Sequence, residues 1–385
     1  MKYVAIGLGA IALAAAGTVG WAFATEHDPE PIETVTVDCP SPGAPLQAGQ
    51  TLELVSWNLQ YGASRKHQFF YDGGDAVYVP DEDVQWTLDA ANAVMAAVQP
   101  DLFLLQEVDR DSKRTGRVDQ HDAYVAGQSA GCHAAAPYHK SPFVPAPSNK
   151  PLGRVDMELS LLTHAPLLNA TRVQLALKDD AKAVQMFDLK RAMLWGEVEV
   201  EGLDQPLAIA VTHLSAFSFG DGTLEKQVGQ LQDWIEARPE GQPWILAGDF
   251  NLLPPGDDKM RLEHERELYS DDVNPIDVMF DAGYTEVFGD DQLNPEHRTY
   301  LPFGEAEPDR KIDYVFVGGP LEVLEAEVLR DQASEISDHL PVRVKLKIVD
   351  PNAPPEPEPE PIEAEPDAAS TEGGDAEPAD APLSE

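Results

Sequence analysis

The sequence predicts an α/β fold, and three observations carry that expectation. Apolar runs of strand length recur along most of the chain, separated by polar or glycine-bearing turns. Two longer stretches instead place their apolar residues at helical spacing. Polar residues able to do chemistry stand just after several of the runs, where α/β sheets gather their sites. With 385 residues, 43% of them hydrophobic, the chain can build a substantial core in one large or two ordinary domains.

The chain opens on Met1-Lys2-Tyr3 and an uncharged apolar run from Val4 to Ala24. Ala22-Phe23-Ala24 is an A-x-A cleavage pattern directly before Thr25-Glu26-His27-Asp28. Residues 1–24 therefore read as a signal peptide or, because the run is long enough to span a bilayer, as an N-terminal membrane anchor. A buried helix is the plain alternative, but nothing polar punctuates the run. Either export reading keeps Lys2 inside and sends the rest of the chain out, to the periplasm, the exterior or an outward-facing anchored state. Residues 25–50 are rich in Pro and Gly and read as a linker. Cys39 and Cys132 are the two cysteines, compatible with one disulfide in an oxidising compartment or with two free thiols. No C-x-x-C spacing supports a zinc–cysteine site.

Strand character begins at Thr51–Trp57 and ends on Asn58-Leu59-Gln60. Val84, Leu88, Ala91, Met95 and Val98 then share one helix face, and Pro100 ends that helix. Asp101–Gln106 reads as a buried strand ending on Glu107. Further strands are expected at Met157–Thr163, Met193–Val200 and Leu207–Thr212, the last followed by His213. A second helix, about Thr223 to Ala237, presents Leu224, Val228, Leu231 and Ile235. Trp244–Ala247 is a buried strand that turns at Gly248 and delivers Asp249 and Asn251, two residues apart, on one side. An acid and an amide placed so can orient a water and hold an anion; the plain alternative is a turn. Lys311–Val317, Leu321–Leu329 and Val342–Ile348 complete the strands, with Ser337-Asp338-His339-Leu340-Pro341 between the last two.

The formal net charge is −41, from 68 acids against 27 bases. The tail from Asp350 holds 12 of those acids and no Lys or Arg, so the rest of the chain is strongly acidic as well. Such a surface repels polyphosphate backbones unless a basic patch or a bound metal reverses the field locally. The stretch Gly127–Val155 contains no acid but includes Lys140, Lys150 and Arg154, which makes it the candidate substrate-facing loop; an ordinary solvated loop is the alternative. The Pro/Glu- and Ala-rich residues 350–385 have too little apolar surface to fold and read as a disordered spacer.

Taken in order, Ser56-Trp57-Asn58-Leu59-Gln60, Leu105-Gln106-Glu107, Thr212-His213-Leu214, Gly248-Asp249-Phe250-Asn251, Ile312-Asp313-Tyr314 and Ser337-Asp338-His339-Leu340-Pro341 resemble the endonuclease/exonuclease/phosphatase superfamily. That resemblance implies a four-layer α/β sandwich over residues 51–349, two mixed sheets packed face to face with helices outside, and metal-dependent hydrolysis of phosphate esters. It implies Mg²⁺, with Mn²⁺ or Ca²⁺ as alternatives, held by Asn58, Glu107 and Asp338. Asp249 would orient and deprotonate the water, Asn251 would hold the water or a phosphoryl oxygen, and His339, polarised by Asp313, would donate to the phosphate. His213 would be a second donor; whether Asp249 or His339 is the base stays open. Gln60 and His213 resemble the deoxyribonuclease-like and sphingomyelinase-like branch rather than repair endonucleases. Gln60, Lys140, Lys150, Arg154 and Arg298 are the candidate substrate contacts. The expected function is thus an exported, monomeric phosphodiesterase with nuclease-like motifs. The alternatives are a phospholipid or sphingomyelin phosphodiesterase, a small inositol- or sugar-phosphate phosphatase, and an inactive surface binding module.

Overall fold

The computed structural model describes residues 20, 24–216, 220–263, 265–269 and 273–353. The expected signal or anchor lies almost wholly outside the described residues, as does the acidic tail from 354 onward. Among the described residues no helix is long and apolar enough to cross a membrane.

Fifteen strands are described: β1 Ile32–Thr34, β2 Leu46–Gln47, β3 Thr51–Asn58, β4 Leu102–Asp109, β5 Cys132–Val144, β6 Gly153–Thr163, β7 Leu167–Gln174 and β8 Ala192–Val198. There follow β9 Val200–Glu201, β10 Leu207–His213, β11 Trp244–Asp249, β12 Thr285–Glu286, β13 Asp313–Gly318, β14 Leu321–Val328 and β15 Val342–Ile348. β2 and β9 pair separately as two short parallel strands, outside the two large sheets. One large sheet runs β1-β7-β8-β10-β11-β13-β12 and the other β14-β15-β3-β4-β6-β5. Both are mixed, each with one parallel pair at its centre, β10 with β11 and β3 with β4. These central strands are buried on both faces, which is why they read as nearly unbroken apolar runs.

Alternation along the central strands sorts side chains between two cores. Ile209, Val211, Ile245, Ala247, Val315 and Val317 enter the core that joins the two sheets. Their neighbours Ala208, Ala210, Leu246 and Phe316 face the other way, onto Leu224, Val228, Leu231 and Ile235. Those four residues are the predicted apolar face of a helix, Thr223–Glu236. On the far side, helix Asp81–Val98 starts with three acids in its first turn, buries Val84, Leu88, Ala91 and Met95, and stops at a left-handed Gln99 before Pro100. The outcome is the expected sandwich of two sheets with helices outside.

Two expectations fail. Residues 25–50 are not a free linker: Ile32–Thr34 pairs with β7, Asp38 bridges His133, and Cys39 is disulfide-bonded to Cys132. The acid-free stretch is not a loop through most of its length, for Cys132–Val144 is a long edge strand with alternating burial. Its alanines gave no strong strand signal, and Pro137 is tolerated because the strand lies at the sheet edge.

Candidate active site

Register alone brings three of the motif residues together. His213 on β10 is the partner of Asp249 on β11, and Asp249 is the partner of Asp313 on β13, so the three side chains form a row at one end of the sheet. Gly248 makes this row possible. Its φ is +147°, and a Cβ there would stand 2.0 Å from the Thr212 carbonyl oxygen.

Asp249 is the centre of the row and is 1% exposed. Its Oδ2 lies 3.1 Å from Asn58 Nδ2, 3.2 Å from His213 Nε2 and 3.6 Å from His339 Nε2. Its Oδ1 accepts the Asn251 backbone N–H at 2.9 Å. Burial pushes its carboxyl up to about 7, with the charge of His339 working the other way. A carboxylate tuned to neutrality is suited to exchange a proton with water.

The two histidines differ in charge. Burial disfavours the His339 cation, but Asp313 at 2.9 Å from Nδ1, together with Asp249, outweighs it and holds the imidazole well above its usual value. His213 is pushed well below, first by burial and then by the charges of Arg191 and His339. Its tautomer follows from its neighbours. An ionised Asp249 only accepts, so Nδ1 is left to accept the Tyr138 hydroxyl at 3.2 Å, while Tyr138 Oη accepts the Glu107 N–H at 3.1 Å. Nε2 then carries the hydrogen and donates it to Asp249. His213, expected as a second phosphate donor, thus has its ring nitrogens on Asp249 and Tyr138.

Asn58 is likewise committed to the acid: Nδ2 donates to Asp249 and Oδ1 accepts the Gln60 N–H at 3.0 Å. Asn251 donates one amide hydrogen to the Leu214 carbonyl at 3.2 Å, and its second hydrogen and its oxygen have no partner among the described residues. A register shift in β4 between Leu105 and Val108 aims Glu107, which sits at φ +57°, into a cleft of about 420 Å³. Gln60 and Tyr61 also adopt left-handed backbone, and Gln120 Nε2 secures the Tyr61 carbonyl at 2.7 Å.

Whether this site fits a divalent ion is decided by its donors. The described groups whose ligand atoms lie within 4.8 Å of one another are Asp249, Asp313 and His339. A charged His339 that donates to Asp313 has no lone pair to give, so that cluster works as an ion-paired relay. Glu107 and Asp338 are better suited. Both line the cleft, and neither has a Lys or Arg within ion-pair distance among the described residues. Burial, then the charge of Asp338, holds Glu107 above the ordinary carboxylate range; burial does the same to Asp338. Hard oxygen donors in need of positive charge fit Mg²⁺ or a similar ion.

Of the candidate substrate contacts, Gln60 lines the cleft and the basic residues do not. Lys140 pairs with Asp156 at 3.0 Å, Arg154 pairs with Asp111 at 2.6 Å, and Lys150 lies over the Tyr78 ring. Arg298 is also absent from the cleft wall. One cleft-lining cation that the sequence did not single out is Arg191, directly before β8. It lines the cleft, its charge acts on Glu107, His213 and Asp249, and its Nη1 is buried without a partner among the described residues. No sequence signal distinguished it, because Lys190-Arg191 resembles any basic pair before a strand.

The comparisons with known proteins agree with this geometry. Comparison with curated proteins finds no matching sequence. An endonuclease/exonuclease/phosphatase protein from Beutenbergia cavernae shares 21% identity and superposes with a TM-score of 0.53, over 78% of this chain and 72% of that one. Proteins of the same description from Bacteroides vulgatus (14% identity, TM-score 0.52, 78% and 99% covered) and Leptotrichia buccalis (14%, 0.51, 77% and 99%) share the fold. The sequence profile of the Endonuclease/Exonuclease/phosphatase family matches residues 55–339, most of the chain and every residue of the row, and the chain belongs to that family of metal-dependent phosphoester hydrolases.

Proposed function

We propose that the protein is an exported, Mg²⁺-dependent phosphodiesterase in which Asp249 activates the attacking water. The observation that carries this reading is the convergence of Asn58, His213 and His339 on one buried carboxylate oxygen. Asp249 takes a proton from water as the water oxygen bonds to phosphorus, and the P–O bond to the alcohol breaks with its electron pair on the leaving oxygen. Cationic His339 and Arg191 face the charge that develops on the phosphoryl oxygens, and the free amide hydrogen of Asn251 is available to them. Glu107 and Asp338 would hold the ion, which supplies charge neutralisation to the phosphate and the leaving oxygen. The Cys39–Cys132 disulfide and the apolar run before Thr25 support export.

A second reading, a compact phosphoester substrate rather than a nucleic-acid duplex, is favoured by the cleft. Its lining includes Leu152, Leu189, Tyr61 and Tyr269, and the basic residues expected to grip a backbone lie elsewhere. The test is hydrolysis of plasmid DNA, RNA, sphingomyelin and bis(p-nitrophenyl) phosphate, with and without Mg²⁺, beside Glu107→Ala. Metal-dependent turnover lost in the variant supports the reading, and the preferred substrate ranks the two. Folded protein that turns over none of them contradicts it.

A further inference from the structure

Arg191 reaches the cleft from a segment that is anchored by a distant part of the chain. The stretch between β7 and β8 contributes Lys178, Gln185 and Asp188–Arg191 to the cleft wall. Its regular structure is a single helical turn, Lys182–Gln185. A segment with so little backbone bonding of its own depends on outside contacts to keep a side chain in place.

Those contacts concentrate on Lys190. Its N–H donates to the Tyr138 carbonyl at 2.6 Å, and the Arg191 carbonyl accepts the Leu175 N–H at 3.0 Å. The Lys190 side chain is 4% exposed, and its Nζ lies 3.7 Å from Glu26 Oε1. The Glu26 side chain, itself 5% exposed, also meets Lys182 Nζ at 2.9 Å, where the helical turn begins. Among the described residues Glu26 is the one carboxylate within ion-pair distance of Lys190. A buried ammonium with a single counter-charge is costly to leave in place once that charge is removed. Glu33, from the same N-terminal segment, lies 3.4 Å from Arg172 Nη1, and Arg172 Nη2 donates to the Lys190 carbonyl at 3.0 Å. The side chain and the carbonyl of Lys190 are thus both tied to the N-terminal segment.

Fixing Lys190 fixes the residue after it. The Arg191 guanidinium lies 5.7 Å from the centroid of the Tyr138 ring, and the Tyr138 hydroxyl sits 3.1 Å from Glu107 N and 3.2 Å from His213 Nδ1. Tyr138 therefore holds Lys190 by its carbonyl, carries Arg191 over its ring and meets two residues of the site at its hydroxyl. Glu26 and Glu33 stand outside residues 55–339, the span that the family profile matches.

We propose that Glu26 is a positioning residue for the hydrolysis: through Lys190 it holds Arg191 in the cleft wall, which makes the N-terminal segment a working part of the site. The inference rests on the hydrolase reading above and adds to it a dependence on residues before the catalytic core. Glu26 touches no reacting group, so its effect passes through Arg191.

The test compares the full chain with Glu26→Gln, which keeps the size of the side chain and removes its charge, and with Glu26→Asp, which keeps the charge. Hydrogen exchange over residues 175–191 is expected to be about 10-fold faster in Glu26→Gln and nearer the wild type in Glu26→Asp, with β10 and β11 unaltered. On bis(p-nitrophenyl) phosphate with Mg²⁺, Glu26→Gln should lower kcat/KM roughly 10-fold, as a small displacement of a reacting group does. Added to Arg191→Ala, it should cause no further loss, because the two substitutions then remove one interaction. Equal losses in both backgrounds mean that Glu26 serves general stability, and they overturn the proposal. Unchanged exchange over residues 175–191, or a wild-type kcat/KM in Glu26→Gln, overturns it as well. Exchange is read without turnover, so loss of the hydrolase reading shows separately: a wild type that hydrolyses no phosphoester, with the segment still loosened by Glu26→Gln, sinks that reading and the catalytic role while supporting the anchoring of Arg191.

Discussion

Asp313 Oδ2 lies 2.9 Å from His339 Nδ1, and the two residues are held there by different parts of the fold. Asp313 opens β13 beside Asp249, whereas the His339 carbonyl is fixed by Trp57 Nε1 at 2.9 Å and its N–H by Ser337 Oγ at 3.1 Å. The pair is therefore aimed before substrate arrives. Asp313→Asn removes the charge that keeps the imidazole protonated. The falling limb of the pH–rate profile is expected to move to lower pH, with kcat/KM reduced roughly 10²–10⁴-fold. An unchanged limb would show that His339 does not act as a cation.

Arg191 supplies the second positive charge. Arg191→Ala is expected to lower kcat/KM roughly 10²-fold, in the range for loss of one transition-state donor. Arg191→Lys should restore only part of this, since an ammonium cannot reproduce the guanidinium fork. Steady-state kinetics on a soluble phosphodiester measure both.

Gly248 carries a structural prediction. With its Cβ position 2.0 Å from the Thr212 carbonyl oxygen, Gly248→Ala must push β10 and β11 apart where His213 meets Asp249. Roughly 2–4 kcal/mol of stability should be lost in denaturant unfolding. Surviving protein should also lose activity.

The disulfide ties the N-terminal segment to the edge strand across a separation of 93 residues. Closing a loop of that length is worth roughly 4–5 kcal/mol in the chain-entropy description, with measured losses of about 2–5 kcal/mol in small domains. Cys39→Ser with Cys132→Ser is expected to lower Tm and loosen Ile32–Thr34 from β7, read by hydrogen exchange.

Two further buried histidines, His121 and the cleft-lining His139, predict acid lability. Burial, then His133, lowers His121 to about 3, and burial, then Arg114, lowers His139 to about 4. Both are neutral when folded and take up protons on unfolding below the ordinary value of about 6.5. Their contribution is therefore complete above pH 6.5 and declines as pH falls, by about 2 kcal/mol for each at pH 5. His121→Gln should flatten the acid side of the stability curve; an unaltered slope contradicts the assignment.

Much of the site was legible because it lies where apolar runs end. His213, Asp249 and Asp313 each close or open such a run, and strand register then makes them neighbours. Glu107 was legible by position, but its orientation depends on a bulge that periodicity does not encode. The basic stretch misled for a simple reason: Lys140 and Arg154 neutralise acids outside the acid-free window, Asp156 directly after it and Asp111 on an earlier loop. β7 was missed because Arg172 stands at an inward position, where its guanidinium serves the carbonyls of Pro137 and Lys190 rather than solvent. Glu26 carried no motif; only the fold places it beside Lys190.

The central claim is that Glu107 and Asp338 hold an ion that Asp249 needs beside it to hydrolyse a phosphate ester. Its most direct test is Mg²⁺ titration of bis(p-nitrophenyl) phosphate hydrolysis by the wild type, Glu107→Gln and Asp249→Asn, with Mg²⁺ binding followed calorimetrically. The expected result is saturable activation of the wild type, weakened binding and activity in Glu107→Gln, and retained binding without turnover in Asp249→Asn. Full activity in chelator, or Mg²⁺ binding untouched by Glu107→Gln, would contradict it.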